Sequence, residues 1–251
     1  MLKLFRMNKL WRQYGLSDLL SLSWDLMLTR LSFPPADIVR RPCYISGKQW
    51  IRVGKGFIAG PGLRIEALGS SKLSTPIIRI GKNVVVNDYV HIGGIESVLI
   101  GDRVLMASKV FISDHSHGSY GGNGVHCDPR IPPNDRPLHA SPVVIEEDVW
   151  IGESVSILQG VKLGRGCVVG ANSVVTHSVP PYTIAIGAPA RVIKEFDFER
   201  RQWRKSQSSA QKGANVSRSL TISDGINLGQ AGVDRAVELH VGLSHKAGAT
   251  A

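Results

Sequence analysis

The sequence predicts an all-β protein in which the chain winds as a parallel β-helix, with one helix before it and a poorly ordered tail after it. Three observations predict this fold. Aliphatic residues recur at every sixth position over several stretches between residues 80 and 175. Glycine or another small residue often follows these aliphatic positions in the same phase. The chain of 251 residues has 27 glycines and only 6% aromatic residues, which favours many tight turns over a helical bundle.

The amino-terminal segment predicts an amphipathic helix over residues 9–31, which Pro34 and Pro35 end. The apolar residues at helical spacings are Leu16, Leu19, Leu20, Trp24, Met27, Leu28 and Leu31. Two interpretations stay open at this point. The helix packs under the end of the main domain, or it rests on a membrane surface through its Lys and Arg residues. We assign residues 1–50 to this helical and connecting segment.

The six-residue repeat defines the main domain, residues 51–196. A period of six does not fit a helix of 3.6 residues per turn, and a simple two-sided strand would not keep glycine in phase. If three hexads make one triangular turn, the aliphatic residues point to the axis and small residues pack at the corners. The predicted axial residues are Ile80, Val86, Ile92, Ile100, Met106, Ile112, Ile145, Ile151, Ile157, Leu163, Val169 and Val175. The predicted corner residues are Val84, Val90, Val104, Val110, Val149, Val155, Val161, Cys167, Ser173 and Val179. A β-sandwich of Val-rich strands would not explain the sustained phase.

One segment interrupts the repeat. Residues 113–142 are rich in Gly, Pro, Asn and Asp, so they cannot continue a ladder of hydrogen bonds and must leave the coil. Long excursions from a rigid scaffold are usually functional, and this one begins with His115 and His117 directly after Ile112. At the other end, residues 197–251 lose the repeat, and we expect a basic linker and a disordered tail with weak strand or helix near residues 219–241.

The charge is unevenly distributed. The formal net charge is +10, yet residues 1–55 contain ten basic and three acidic side chains while residues 56–190 contain ten and eleven. A basic start beside a neutral body indicates contact with an anionic surface or ligand. The chain has no recognised nucleic-acid motif, so we expect no nucleic-acid partner.

The cysteines and the hydropathy place the protein in the cytoplasm. Three cysteines without CxxC spacing support neither a disulfide framework nor a zinc ribbon. Charges interrupt the apolar residues at the amino terminus, which makes a poor signal peptide, and no stretch approaches the ~18 apolar residues of a membrane span. We expect a cytoplasmic protein, which the basic helix would bring to the inner face of the membrane.

Residues 142–196 closely resemble the carboxy-terminal coils of hexapeptide-repeat acyltransferases, in particular the branch of maltose/galactoside and polysaccharide O-acetyltransferases. DVWIG at 148–152, GANSVVT at 170–176 and GAPARVI at 187–193 stand in the family's order and spacing, and SDHSHG at 113–118 occupies the place of its catalytic histidine motif. The resemblance covers about residues 51–196. It implies a left-handed β-helix, a homotrimer with active sites in the clefts between subunits, and acetyl-CoA as co-substrate.

The catalytic residue that the resemblance implies is His115. An alcohol needs a base before it can attack a thioester, and neutral imidazole can take its proton and pass it to the departing thiolate. We therefore expect direct attack in a ternary complex, without an acyl-enzyme and without a metal. His117 would point the same way as His115 in an extended backbone, so it could contact the acceptor or be the base itself. The γ-class carbonic anhydrases share this fold and bind zinc with three histidines, but the spacing of His91, His115 and His117 departs from theirs.

The resemblance also implies binding residues. The candidates for the acceptor site are Asn87, Asp114, His117 and Trp150, of which the resemblance implies Asn87 and Trp150. Its candidates for the acetyl-CoA site are Gly152, Gly170 and Ala171 along the pantetheine arm, Thr176 and His177 near the middle, and Arg191 and Lys194 near the phosphates. An acidic acceptor contact of the family falls at Ile95 here, and Glu153 replaces a hydroxyl residue that helps stabilise the oxyanion in some relatives. The first departure leaves the acceptor sugar open.

These features predict an acetyl-CoA-dependent O-acetyltransferase that acts on a sugar in exopolysaccharide, O-antigen or capsule synthesis. One alternative within the same class is an N-acetyltransferase of an amino sugar or nucleotide sugar. The alternative from another class is a non-catalytic trimeric β-helix scaffold.

Overall fold

The structure is a computed structural model that describes residues 15–69, 75–120 and 126–206. All of these residues up to Arg204 belong to one compact unit. The predicted tail, apart from its first residues, and residues 9–14 of the predicted helix lie outside the described residues. The described part of that helix is Leu16–Ser32, and Lys48–Trp50 and Pro133–Asp135 are short 3₁₀ helices.

Three sheets contain most of the strands, and the chain passes through them in turn. Sheet A consists of Ile38–Val39, Ile58–Ala59, Val85–Val86, Leu105–Met106, Trp150–Ile151, Val168–Val169, Thr183–Ile186, Arg191–Asp197 and Gln202–Lys205. Sheet B consists of Tyr44–Ser46, Arg64–Ala67, His91–Gly94, Phe111–Ser113, Ser156–Ile157 and Val174–Val175. Sheet C consists of Ile51–Val53, Ile78–Ile80, Val98–Ile100, Val143–Ile145 and Lys162–Leu163.

Each circuit through sheets A, B and C stacks in parallel on the circuit before it, and we call this stack the coil. Val86, for example, pairs with Ala59 on one side and with Met106 on the other. The parallel pairing ends only at the carboxy-terminal edge of sheet A, where Arg191–Asp197 runs antiparallel to Thr183–Ile186. The coil begins at Ile38, earlier than the repeat predicts, because its first strands lack the clear hexad phase of the later ones.

The predicted interior is confirmed. Every predicted axial residue and every predicted corner residue is buried. The glycines that follow the axial positions are explained by close stacking of the circuits, since a Cβ added at Gly81, Gly101 or Gly152 would lie 2.4–2.6 Å from an atom of the next circuit. A corner of this coil also repeatedly places one residue in the left-handed region of backbone conformation. Gly160 and Gly166 occupy that region at φ of 74° and 62°, where a side chain is disfavoured.

The excursion leaves the coil as predicted. After Ser113 the chain forms a separate two-stranded antiparallel sheet, His115–His117 with Leu138–Ala140, which we call the hairpin. The coil then resumes in register, since Val143 pairs with Val98 of the preceding circuit in sheet C. The excursion is therefore an insertion between sheet B and sheet C that does not disturb the stacking.

The helix Leu16–Ser32 packs against the first strand of sheet A, Ile38–Val39. Among the described residues, no helix is long and apolar enough to span a membrane.

Candidate active site

The hairpin positions the predicted histidines at the point where the chain leaves sheet B. His115 and His117 alternate with Ser116 along one strand, so both histidines lie on the same face of the hairpin, as predicted. The excursion is held together by the Arg136 guanidinium, which donates to Tyr120 Oη at 2.7 Å and to two backbone carbonyls. Tyr120 in turn donates to the carbonyl of His117 at 2.6 Å.

Asp114 is the most strongly bound side chain of the site. It is completely buried, and its carboxylate accepts hydrogen bonds from the backbone N–H groups of three successive residues, Ile95, Glu96 and Ser97, at 2.8–3.1 Å. These donors stabilise a charged carboxylate away from water. The sequence predicts Asp114 as an acceptor contact, whereas the structure places it behind His115, where solvent does not reach it.

The His115 imidazole is fixed from one side. Its Nδ1 lies 2.9 Å from Asp114 Oδ1 and 3.3 Å from Ser113 Oγ. The ring stands over Gly93, since a Cβ added there would lie 3.5 Å from His115 Cε1. With Nδ1–H donating to Asp114, the lone pair of the imidazole is on Nε2, and 18% of the side chain remains exposed. Nε2 is thus the ring atom of His115 that is able to accept a proton.

A second polar cluster lies beside this site on the outer face of sheet B, and the sequence analysis did not find it. Glu66, which neighbours Gly93 in the sheet, accepts from Arg64 at 2.7 Å and lies 3.0 Å from His91 Nε2. The Arg64 guanidinium and then the His91 imidazole hold the pKa of Glu66 below its usual range. Only the pairing register shows this cluster, because the partners are up to 25 residues apart in the chain.

His91 is therefore engaged with Glu66, while His115 is engaged with Asp114. In the ranges that the structure describes, no group of three or more His, Cys, Asp or Glu side chains could hold a metal ion. The zinc alternative built on His91, His115 and His117 finds no such group there.

The other predicted acceptor residues lie on different elements. His117 is exposed on the hairpin. Asn87 is exposed at the corner that follows the sheet A strand Val85–Val86, and Trp150 lies half-buried on the outer face of sheet A, between Leu105 and Val168. The outward orientation of Trp150 is as the repeat predicts. Within one chain, Asn87 and Trp150 thus belong to sheet A, whereas His115 follows sheet B.

Four of the predicted acetyl-CoA residues form one continuous line. Gly152 stacks on Ala171, whose backbone nitrogen would lie 2.6 Å from an added Cβ. Gly170 lies against Ile186, and Ile186 pairs with Arg191 in sheet A. The N–H groups of Gly152 and Gly170 donate to the carbonyls of the next circuit, so they are not free to donate to a ligand.

The remaining acetyl-CoA candidates flank this line. Lys194 pairs with Ile184 on the strand of Arg191. Thr176 and His177 lie at the next corner, after the sheet B strand Val174–Val175, and Thr176 Oγ1 is 2.8 Å from His177 Nδ1.

Comparison with known proteins adds a family match and two similar relatives. Residues 142–177 match the model described as "Bacterial transferase hexapeptide (six repeats)". The chain is 46% identical over 198 residues to WbbJ of Escherichia coli strain K12, which is provisionally named a lipopolysaccharide biosynthesis O-acetyltransferase. This match covers 79% of this chain and 98% of WbbJ. It is 38% identical over 120 residues to the galactoside O-acetyltransferase of the same strain, covering 48% of this chain and 55% of that protein.

Among solved structures, the chain is similar to AntD, an N-acyltransferase from Bacillus cereus in complex with dTDP-4-amino-4,6-dideoxyglucose and coenzyme A. The TM-score is 0.49 at 19% identity, and the match covers 77% of this chain and 95% of AntD.

Proposed function

The chain belongs to the hexapeptide-repeat family of bacterial acyltransferases, and from this premise we propose that it transfers an acetyl group from acetyl-CoA to a sugar hydroxyl, with His115 as the general base. The observation that carries the mechanism is the contact of His115 Nδ1 with the buried Asp114 carboxylate. The relatives carry the reaction class, since the full-length relative is named for O-acetyl transfer and the shorter one is a galactoside O-acetyltransferase.

His115 and Asp114 have different roles in the proposed base: His115 takes the proton, and Asp114 positions the imidazole ring. Asp114 accepts the Nδ1–H of His115 and thereby fixes the tautomer and the orientation of the ring. The three backbone N–H groups that hold Asp114 keep its carboxylate in place, so the orientation does not depend on a mobile side chain. We propose Asp114 as a positioning residue and not as the acceptor contact expected from the sequence.

The proposed reaction is a direct transfer. Nε2 of His115 takes the proton of the acceptor hydroxyl while the oxygen attacks the thioester carbonyl carbon of acetyl-CoA. The tetrahedral intermediate then collapses, the carbon–sulfur bond breaks, and the CoA thiolate takes from Nε2 the proton that the acceptor hydroxyl gave up. The products are the O-acetyl sugar and CoA thiol, and His115 returns to its neutral form.

Acetyl-CoA fits the line of small residues that ends at a cation. We place the narrow pantetheine arm along Gly152, Gly170 and Ala171, which carry no side chain or only a methyl group, and the phosphates near the positive charge of Arg191 and Lys194. Thr176 and His177 would contact the arm from the next corner. This assignment uses all seven residues that the resemblance implies.

The proposal includes a left-handed coil in each subunit and a homotrimer of such subunits. The outer face of sheet A presents one apolar row, a row of the kind that marks a protein interface: Ile38, Ile58, Val85, Leu105, Trp150, Val168 and Ile184. Sheet C, by contrast, includes Arg52, Arg79 and Lys162 in its outward row. We propose that the active site lies in the cleft between two subunits, as the resemblance implies, with Asn87 and Trp150 of one subunit beside His115 of the next. The catalytic domain is residues 51–196 with the strands that precede it from Ile38.

The acceptor class in this proposal is a sugar of lipopolysaccharide or another surface polysaccharide, or its lipid-linked precursor, handled in the cytoplasm. The name of the relative that this chain spans almost completely supports that class. The amino-sugar alternative differs only in the attacking atom, so a panel of acceptors separates the two.

The test is a thiol-release assay with acetyl-CoA and a panel of free sugars, amino sugars, nucleotide sugars and lipid-linked oligosaccharides. We expect release that depends on a hydroxyl acceptor, and we expect His115→Ala to lower the turnover number ~100- to 10,000-fold. Calorimetry should show that His115→Ala still binds acetyl-CoA. The matched control is His126→Ala, because His126 is an exposed histidine of the same excursion.

Three results would contradict the proposal. Turnover of His115→Ala close to that of the wild type would show that His115 is not the general base. Thiol release that only amino sugars stimulate would make the protein an N-acetyltransferase. If no acceptor stimulates release and acetyl-CoA does not bind, the non-catalytic trimeric scaffold becomes the better account.

A further inference from the structure

The helix Leu16–Ser32 is oriented with its apolar face away from the protein. Leu20, Trp24, Met27 and Leu31 follow the helical spacing i, i+4, i+7 and i+11, so they form one narrow stripe. Their exposed fractions are 65%, 58%, 45% and 73%. A contiguous exposed apolar stripe of this kind marks an interaction surface, whereas scattered exposed leucines do not.

The opposite face of the helix explains why this orientation is fixed. Asp25 and Thr29 are buried there, at 2% and 0% exposure. Thr29 Oγ1 accepts the N–H of Val39 at 2.9 Å and donates to the carbonyl of Asp25 at 2.6 Å, and Asp25 Oδ1 accepts the N–H of Arg41 at 3.2 Å. Turning the apolar stripe inward would break these hydrogen bonds.

We propose that this stripe docks on the surface of an anionic lipid bilayer. The charge of the chain favours an anionic bilayer over other binding partners, because residues 1–15 contain Lys3, Arg6, Lys9 and Arg12 and no acidic residue. A basic segment next to an apolar stripe that contains tryptophan is attracted to anionic headgroups. The same segment would repel its own copy, which disfavours pairing of two such helices along this stripe.

The surface is distinct from the proposed subunit contact. The apolar row of sheet A lies on the outer face of the coil strands, whereas the stripe lies on the side of the helix that faces away from Ile38–Val39. Docking would hold the enzyme at a membrane, where a lipid-linked acceptor would be concentrated. That consequence rests on the proposed function, but the docking itself does not.

The experiment measures binding of the full-length protein to vesicles, with no enzymatic readout, so its outcome is independent of the proposed reaction. Vesicles of phosphatidylglycerol and phosphatidylethanolamine are compared with vesicles of phosphatidylcholine alone by co-sedimentation at ~100 mM salt. The variants are Leu20→Ser with Leu31→Ser on the stripe, and Leu68→Ser as the matched control, because Leu68 is a 54% exposed leucine that is not part of the helix. Analytical ultracentrifugation follows the oligomeric state of each variant.

We expect the wild type and Leu68→Ser to bind the anionic vesicles and to bind phosphatidylcholine at least ~10-fold more weakly. The stripe variant should lose at least ~10-fold in binding to anionic vesicles, with its oligomeric state unchanged. Equal binding of wild type and stripe variant, or no binding of the wild type to anionic vesicles, would overturn the proposal. Dissociation of the oligomer in the stripe variant would also overturn it, because the stripe would then be a subunit contact.

Discussion

The coil and the hairpin differ in what each position contributes. In the coil, one circuit resembles the next, every axial position is aliphatic and buried, and the parallel pairing of sheets B and C runs without a break from the first circuits to the last. In the hairpin the pairing is antiparallel, and the residues in and around it are individual: two histidines in the hairpin, and beside it a buried aspartate and a tyrosine held by an arginine. The repeat therefore supplies a rigid scaffold, and the proposed chemistry is located where the repeat stops.

The comparison predicts that a coil position controls stability without controlling the chemistry. Leu163 is fully buried at an axial position of sheet C. Leu163→Ala should lower the free energy of unfolding by ~2–5 kcal/mol, because it leaves a cavity in a closely packed interior. The turnover number should stay within about twofold at temperatures where the variant is folded, since Leu163 is an axial residue of sheet C and His115 lies in the hairpin outside the coil.

The matched control for this prediction is Leu99→Ala, a half-buried outward leucine of the same sheet. Its effect on urea-induced unfolding should be clearly smaller. Equal losses for both leucines would contradict the distinction between axial and outward positions. A large loss of turnover in folded Leu163→Ala would contradict the separation of frame and site.

The second prediction concerns the end of the acetyl-CoA line. Arg191→Ala should weaken acetyl-CoA binding ~10-fold or more, because it removes a charge-assisted contact to phosphate, and should leave the KM for the acceptor unchanged. Calorimetry with CoA measures the first effect and steady-state kinetics the second. Arg79→Ala is the control, since Arg79 is an exposed outward arginine of sheet C. If Arg191→Ala binds CoA as tightly as the wild type does, Arg191 does not contact the phosphates of acetyl-CoA.

The third and smallest effect concerns the polar cluster beside the hairpin. A carboxyl whose pKa is lower in the folded than in the unfolded chain stabilises the fold above its unfolded pKa, and this stabilisation is lost as the pH falls through its folded pKa. Arg64, with His91, lowers the pKa of Glu66 in this way. Glu66→Gln should therefore be less stable than the wild type at pH 7, and the difference should shrink as the pH falls below ~4. A difference that does not change with pH, measured by urea unfolding, would reject this role.

Most of the coil can be predicted from the sequence because its physical cause is local and repeated. Ile151 or Val169 is axial for the same reason as its neighbours, so the phase of one hexad fixes the next. The early strands from Ile38 were missed because their phase is irregular, and the strand Gln202–Lys205 was missed because it belongs to an antiparallel edge outside the repeat.

The site was only partly predictable. His115 is recognisable from the SDHSHG motif, and the shared face of His115 and His117 follows from strand alternation. The placement of Asp114 depends on three backbone N–H groups from the circuit below, and the contact of Glu66 with His91 depends on the register between circuits. Such long-range contacts have no signature in a single stretch of sequence.

The central claim is that Asp114 acts through His115, and a double-mutant cycle tests it most directly. The turnover number and the acetyl-CoA affinity are measured for Asp114→Asn, His115→Ala and the double variant, with unfolding followed to confirm that each is folded. The account predicts that Asp114→Asn lowers turnover in the wild-type background, adds no further loss to His115→Ala, and leaves acetyl-CoA affinity unchanged throughout. Losses that add fully in the folded double variant, or full turnover in Asp114→Asn, would contradict it.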